Sequence, residues 1–338
     1  GSHNSAIGRE ALLNNTTGSY NSAISDSALC SNTTGSHNSA IGQNALYSNT
    51  TGSYNSATGS GALQVNTTGS HNFAAGRQSL YCNTTGSYNT AIGYFALYKS
   101  LSGGNNFAAG NGALYNNWGG CWNSAIGPNA LNKNTTGSGN FAVGCGAAYS
   151  NTTGSNNFAV GHSAMTGALS GSNNVGFGTY SLRCNWGGSD NFAVGYISLC
   201  SNTTGYYNNA FGNYAMCSNT TGYQNNAIGK STLKSNTTGN NNNAIGTSAL
   251  IGNTTGSNNT AIGATALACN TVGTHNFAAG SSALNKNTTG SNNIALGYIS
   301  GCSNTTGGCN VSIGMCALRT NTTGCNNTAI GFRALQGN

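Results

Sequence analysis

Apolar and polar residues follow one pattern along the whole chain, and the pattern repeats every seventeen residues. Each repeat begins at a glycine, from Gly1 and Gly18 to Gly324, and its consensus is G-S-x-N-x-A-I-G-x-x-A-L-x-x-N-T-T. Nineteen repeats are complete and the twentieth has fifteen residues, with no insertion or deletion between them. We call each repeat a coil, number its residues as positions 1 to 17, and call one position taken through all coils a column.

This pattern predicts strands and turns rather than helices. Repeats built from two helices need about 33 residues or more, and glycine at positions 1 and 8 disfavours a single helix. The Leu-x-x-Leu-x-Leu pattern of leucine-rich repeats is missing. Short apolar segments between glycine and asparagine are typical of strands joined by tight turns. We therefore predict an all-β fold, a parallel β-solenoid without caps that forms one continuous array over residues 1–338. With coils about 4.8 Å apart, its length would be roughly 95 Å.

Two kinds of column are nearly invariant. Asparagine occupies position 4 in all twenty coils, and glycine occupies position 1 in all of them and position 8 in all but one, where Ser25 stands. The asparagines predict a ladder of stacked, hydrogen-bonded amides, with ligand binding as the alternative. The glycines indicate turns with positive φ or close backbone approach. The predicted ladder begins with Asn4, Asn21, Asn38, Asn55, Asn72 and Asn89.

The side chains at positions 5 and 7 have complementary sizes, so that a large residue at one position accompanies a small one at the other. Phe73 is followed by Ala75, whereas Ser5 is followed by Ile7, and phenylalanine and isoleucine never occur together. Residues i and i+2 share one face of a strand, and packed interiors tolerate little change in volume. We therefore expect positions 5 and 7 to fill one bounded space, with the alanine of position 6 on the opposite face. One face would meet the coil interior and the other a second wall or another chain. The leucine of position 12 predicts a second core column.

Charge is scarce, with ten Lys and Arg residues, three acidic residues and a net charge of +7. There is no basic run, so we expect no nucleic-acid partner, and no apolar stretch long enough for a membrane span. The acidic residues Glu10, Asp26 and Asp190 lie in different coils, and the histidines of column 3 recur only at every second coil. These spacings predict no catalytic, metal or cofactor site, and therefore no enzyme.

Twelve cysteines occur, mostly in columns that also carry charges. Cys200 and Cys217 share a column in successive coils, and Cys309 and Cys325 are nearly aligned. Stacked residues about 4.8 Å apart are within disulfide range, so we predict that both pairs can bond, with zinc binding as the alternative. Disulfides are typical of an extracellular setting.

Asn-Thr-Thr closes most coils at positions 15 to 17 and is formally an N-glycosylation sequon. A turn followed by a short strand with a ladder of hydroxyls is the alternative reading. The candidate glycosylation sites are Asn15, Asn32, Asn49, Asn66, Asn83, Asn134, Asn151, Asn202, Asn219, Asn236, Asn253, Asn287, Asn304 and Asn321.

The stretch NTTGSNNTAIGATAL resembles the low-complexity repeats of bacterial and phage tail-fibre-type proteins, and NSAIG and NFAVG are similar to the head repeats of trimeric autotransporter adhesins. The adhesin repeat is shorter than seventeen residues. The resemblance implies a left-handed β-roll, three-chain assembly and attachment to surfaces. We therefore expect a structural fibre shaft or adhesin-like protein, extracellular or on a cell or virion surface. An ice- or glycan-binding array is the alternative.

We expect the chain to associate first with itself, as an end-to-end filament or as a homo-oligomer such as a trimer, and second with surface glycans. Both terminal coils match the consensus. We therefore expect Gly1 and Asn338 to lie within a continuing array, either in a longer chain or between stacked copies.

Overall fold

The computed structural model describes residues 1–337 and is all-β, with no helix among them. Its backbone forms two compact units, the first from Gly1 to Gly171 and the second from Ser172 onward. Each unit contains ten parallel strands, one per coil, which confirms the predicted parallel β-solenoid. The single array over residues 1–338 stays a prediction, and Asn338 lies outside the described residues.

Every strand occupies positions 5 to 7 of its coil. The first unit holds β1 (Ser5–Ile7), β2 (Ser22–Ile24), β3 (Ser39–Ile41), β4 (Ser56–Thr58), β5 (Phe73–Ala75), β6 (Thr90–Ile92), β7 (Phe107–Ala109), β8 (Ser124–Ile126), β9 (Phe141–Val143) and β10 (Phe158–Val160). The second holds β11 (Val175–Phe177), β12 (Phe192–Val194), β13 (Asn209–Phe211), β14 (Asn226–Ile228), β15 (Asn243–Ile245), β16 (Thr260–Ile262), β17 (Phe277–Ala279), β18 (Ile294–Leu296), β19 (Val311–Ile313) and β20 (Thr328–Ile330).

Strands pair with their sequence neighbours in an unbroken seventeen-residue register within each unit. Ala6 lies opposite Ala23 in the first unit, and Ala193 opposite Ala210 in the second. Identical positions therefore stack on one another, which is why a single inserted residue would displace every later column.

The rest of each coil is a series of turns whose backbone bonds to the next coil. The N–H of Leu12 donates to Ala28 O at 3.1 Å, and the N–H of Asn14 donates to Cys30 O at 3.0 Å. Positions 3, 10 and 12 have positive φ, as at Leu29 with φ 51°. This conformation costs an L-residue about 1–2 kcal/mol. Burial of the leucine and the bond to the next coil offset that cost.

Small side chains make up most of the interior. The alanines of positions 6 and 11 and the leucine of position 12 are buried, for example Ala40, Ala45 and Leu46, each 0% exposed. The core column at position 12 is thus confirmed. The structure places positions 5 and 7 on the outside of the coil, so that the bounded space they are expected to fill stays a prediction and would need a wall from another chain. Their side chains point outward, because the narrow coil accommodates the alanine of position 6 instead.

The two glycine columns have different causes. The glycines of position 8 have φ between 121° and 140°, a region that excludes most side chains, and Ser25 in the same column has φ 114°. At position 1 φ is not positive, but a Cβ on Gly18 would overlap Gly35 O and Asn15 Oδ1. The expectation of turn and close approach therefore holds, with one reason for each column.

Candidate functional site

The position-4 asparagines form the predicted ladder, and each amide bonds to the backbone. Asn123 Nδ2 donates to Gly137 O at 2.8 Å, and Asn123 Oδ1 accepts the backbone N–H of Asn140 at 3.0 Å. The same arrangement begins at Asn4, whose Nδ2 donates to Gly18 O and whose Oδ1 accepts the N–H of Asn21. Just before each strand begins, the position-4 side chains therefore supply the hydrogen bonds between coils that backbone pairing supplies within the strands.

A second ladder runs through position 15 and joins side chain to side chain. Asn134 Nδ2 donates to Asn117 Oδ1 at 2.7 Å and to Gly137 O at 2.9 Å. Gly137 O therefore receives amides from both ladders. Sequence reasoning missed this ladder, although the recurrence of asparagine at position 15 was visible as a signal.

The second ladder makes the glycosylation prediction wrong for the folded coil. Asn15 is half-buried, and its Nδ2 donates to Gly18 O. The other sequon asparagines are buried, each at most 4% exposed: Asn32, Asn49, Asn66, Asn83, Asn134, Asn151, Asn202, Asn219, Asn236, Asn253, Asn287, Asn304 and Asn321. A glycan on Nδ2 would have to occupy the coil interior and would remove a donor that the ladder uses.

Two substitutions break the position-15 ladder and leave polar atoms without partners. Ser100 and Ala168 stand where asparagine is expected. Asn83 Oδ1 and Asn151 Oδ1, one coil earlier in each case, are buried and have no hydrogen-bond partner, and neither does Ser100 Oγ. The ladder thus tolerates interruption at a local cost in unsatisfied hydrogen bonds.

Positions 5 and 7 form an exposed stripe along the strands of each unit, here called the apolar stripe. Every coil except that of Ser56 and Thr58 contributes at least one apolar side chain to it, although eleven coils have Ser, Thr or Asn at position 5. In the first unit Phe73, Phe107 and Ile126 are 42%, 36% and 39% exposed. In the second, Phe192 and Ile228 are exposed to a similar extent. The stripe contains no charged residue. Large exposed apolar patches on protein surfaces often serve in interactions, which makes the stripe a candidate interaction surface.

Column 3 of the first six coils is a stack of alternating imidazole and phenol rings. Neighbouring ring centroids lie 4.6 to 4.9 Å apart, with interplanar angles of 2° to 7°. The stacked rings belong to His3, Tyr20, His37, Tyr54, His71 and Tyr88. Since each inner ring is covered on both faces, this stack offers edges rather than open faces to a ligand.

The threonines of positions 16 and 17 differ in what their hydroxyls do. Thr33 Oγ1 donates to Thr50 O at 3.0 Å, and the side chain is half-buried. Thr34, at position 17, is exposed. In the first unit Trp118 replaces a threonine at position 16 and is 52% exposed, and Trp122, at position 3 of the next coil, is 69% exposed. Sequence reasoning did not single out these tryptophans.

Charged residues occupy outer columns of the coil, and several have partners. Arg9 donates to both carboxylate oxygens of Asp26, at 3.1 and 2.9 Å. The hydrogen bond from Arg9 lowers the pKa of Asp26. Lys133 lies 5.2 Å from the centroid of Tyr149, and Arg77 lies 5.7 Å from that of Tyr94.

All twelve cysteines lie within residues 1–337 and are free in the structure. Cys200 and Cys217 stack in one column, and Cys200 Sγ donates to the backbone carbonyl of Cys217 at 3.4 Å. Burial raises the pKa of the Cys200 thiol. Cys325 Sγ accepts the N–H of Gly308 at 3.3 Å, while Cys309 is exposed. Both disulfides stay predictions.

Residues 1–337 enclose no pocket and bring no three His, Cys, Asp or Glu side chains together in a metal-binding arrangement. They also form no helix of the length and apolarity needed to cross a bilayer. No protein-family model matches the chain, and no curated protein matches it. The candidate functional features are therefore its surfaces and the ladders that support them.

Proposed function

We propose that this chain is the shaft of an extracellular fibre or an adhesin-like surface protein, with a structural rather than a catalytic role. One observation carries the proposal. In each unit, except where Ser100 and Ala168 interrupt position 15, the buried amides of positions 4 and 15 bond each coil to its neighbours, as at Asn123 and Asn134. Most of the buried asparagine amides therefore form hydrogen bonds that link neighbouring coils.

Such axial bonding suits a load-bearing element. Most coils contribute the same inter-coil bonds, so tension along the stacking direction is shared among strand pairs, turn amides and two side-chain ladders. The stability of a stacked-repeat protein is roughly the sum of its repeats and their interfaces. Extension by identical coils therefore adds length without requiring a new core. The resemblance to tail-fibre-type and adhesin head repeats supports the same role.

Microscopy of native material tests the proposal. We expect unbranched fibres on the cell or virion surface, labelled by an antibody against the chain, with an axial repeat of about 4.8 Å in diffraction. Chains found only as dispersed particles inside the producing cell would contradict the proposal.

Glycan binding is a second candidate function, favoured by the exposed tryptophans of the first unit. Trp118 and Trp122 present large amphipathic rings beside exposed polar side chains. Tryptophan supplies rigid contact area and one hydrogen-bond donor. A glycan array probed with the wild-type chain and with Trp122→Ala tests this function. Binding that the variant loses would support it, and an absence of binding by the wild type would contradict it.

Ice binding has weaker support, because only one threonine column is open. The hydroxyls of position 16 donate to the next coil, as Thr33 does to Thr50 O. Position 17 alone therefore faces solvent as a free threonine ladder. Thermal hysteresis of the purified chain tests this alternative, and none is expected.

A further inference from the structure

The apolar stripe obeys a volume rule that its own chain does not explain. All eight phenylalanines at positions 5 and 7 are paired in their own coil with alanine, valine or asparagine, and most coils with isoleucine at position 7 have serine, threonine or asparagine at position 5. Such compensation is expected in a filled space of fixed size. Yet both columns lie on the outside of the coil, as the exposed Phe107 and Ile126 show. The compensation therefore indicates that positions 5 and 7 pack against a surface that this chain does not itself provide.

The identity of that wall follows from the geometry of two-fold pairing. A two-fold axis parallel to the direction of coil stacking keeps the order of the coils and reverses the direction of the strands. Position 5 of one chain then faces position 7 of the same coil in its partner. The volume at every contact is the sum of positions 5 and 7 of one coil, which is the quantity that the sequence holds nearly constant.

Other arrangements of two chains would not require complementary volumes at positions 5 and 7 of one coil. If the axis lies across the stack, coil order reverses, and position 5 meets position 5 of a distant coil. Volumes within one coil then need not be matched. An unrelated partner would have to repeat at the coil spacing over many coils to use the rule. A second copy of this chain has that spacing by construction, and the self-complementary contact is of the kind that two-fold dimers use.

We propose that the apolar stripe of each unit packs against the same stripe of a second copy, parallel and in register, so that each phenylalanine lies over a small residue of its partner. Phe107 would face the partner's Ala109, and Ile126 would face the partner's Ser124. The coils of Ser56 with Thr58 and of Ile294 with Leu296 break the rule and form a local gap and a local bulge.

The exposed apolar area of the stripe is comparable to what such a dimer buries. Phe73, Phe107 and Phe141 are 42%, 36% and 36% exposed, and the isoleucines of other coils are exposed to a similar extent. A large aromatic side chain has about 150–250 Å² of surface, so the four phenylalanines of each unit expose roughly 240–400 Å². The isoleucines of the other coils extend this area toward the value of about 800 Å² per partner in a standard interface. The absence of charge in these columns means that pairing does not require the desolvation of ions.

Pairing is independent of the proposed shaft function, which rests on the axial ladders and would survive a monomeric chain. Sedimentation of the full chain across a range of concentrations tests it, using two variants with equal added charge. The stripe variant carries Ile92→Lys, Phe107→Lys and Ile126→Lys. The control variant carries Ser60→Lys, Asn111→Lys and Thr136→Lys, all at exposed polar positions outside the stripe.

We expect dimers for the wild type and the control, and a dimer dissociation constant at least about a hundredfold higher for the stripe variant, because burying unpaired charges opposes association. Circular dichroism establishes that both variants keep the wild-type fold. A wild type that is monomeric at every concentration, a trimer dispersed by the stripe variant, or equal association of both variants would each overturn the proposal.

Photo-crosslinking tests the register. Phe107→p-benzoylphenylalanine is placed in a chain mixed with an isotope-labelled copy, so that intermolecular products are recognised by mass. We expect crosslinks to the partner's Ala109 and its column neighbours in adjacent coils. Crosslinks to position 5 of distant coils, or within one chain only, would overturn the in-register pairing.

Discussion

The two asparagine ladders of the coil differ in what their amides hold. At position 4, Asn123 joins a backbone carbonyl on one side to a backbone N–H on the other, and this column is asparagine in every coil. At position 15, Asn134 bonds mainly to its own kind, and this column tolerates Ser100 and Ala168. Replacing an asparagine at position 4 leaves buried backbone groups without hydrogen bonds. Replacing one at position 15 leaves only side-chain amide groups without them, which the fold tolerates.

The largest effect is expected from Asn123→Ala. It leaves the buried N–H of Asn140 without its acceptor and removes one donor from Gly137 O. Each unsatisfied buried group costs about 1–3 kcal/mol, so the loss of stability should be about 3 kcal/mol. Chemical denaturation and hydrogen exchange at the Asn140 amide measure it. Asn111→Ala, at an exposed position, is the matched control. Equal stability of the two variants would contradict the comparison.

A smaller loss is expected from Asn134→Ala. The substitution leaves Asn117 Oδ1 and Asn151 Nδ2 without one partner each, but Gly137 O keeps the amide of Asn123. The cost should be about 1–2 kcal/mol, since no backbone group is left unpaired. The same two measurements apply. A loss as large as that of Asn123→Ala would mean that the two ladders are equivalent.

Repair of the broken ladder should stabilise the first unit. Ser100→Asn supplies a donor to Asn83 Oδ1, which now has none, and an acceptor to Asn117 Nδ2. The gain should be about 1 kcal/mol, the usual net value of a hydrogen bond. Ser60→Asn, which adds the same side chain at an exposed position, is the control. A denaturation midpoint unchanged or lowered by Ser100→Asn would show that the coil around Leu101 is adapted to serine.

The smallest effect concerns a surface link between coils, the Arg9–Asp26 ion pair. The hydrogen bond from Arg9 lowers the pKa of Asp26 in the folded state. The contribution is therefore present above the unfolded pKa of about 3.9 and is lost as pH falls through the lower, folded pKa. Carboxyl-carbon NMR should show this depressed pKa in the wild type and its return in Arg9→Gln. An identical titration in both would exclude the ion pair in solution.

Much of this fold could be predicted from sequence because the period is exact in length. Seventeen residues between identical columns exclude helical repeats, and the invariant Asn4 column and the Leu12 column were both placed correctly. The side of the strand that faces inward could not be predicted. Phenylalanine and isoleucine usually prefer burial, but a coil this narrow has room only for the alanine of position 6.

The position-15 ladder and the positive φ of the position-12 leucines also could not be predicted from the sequence. Asn-Thr-Thr serves equally as a sequon and as the start of a buried ladder, and only the stacking of Asn134 on Asn117 distinguishes them. The positive φ of Leu29 contradicts leucine's ordinary preference, so no propensity would suggest it. It follows from the way each coil must turn its amides toward its neighbours.

The unbroken seventeen-residue register also bears on how such a chain changes over generations. Because identical positions stack, the gain or loss of one whole repeat by unequal recombination still places the asparagines of positions 4 and 15 next to the same positions in the neighbouring coils. A gain or loss of any other size displaces every column beyond it. Length is therefore a heritable trait that varies in whole coils, and selection can adjust the reach of the molecule without redesigning its interior.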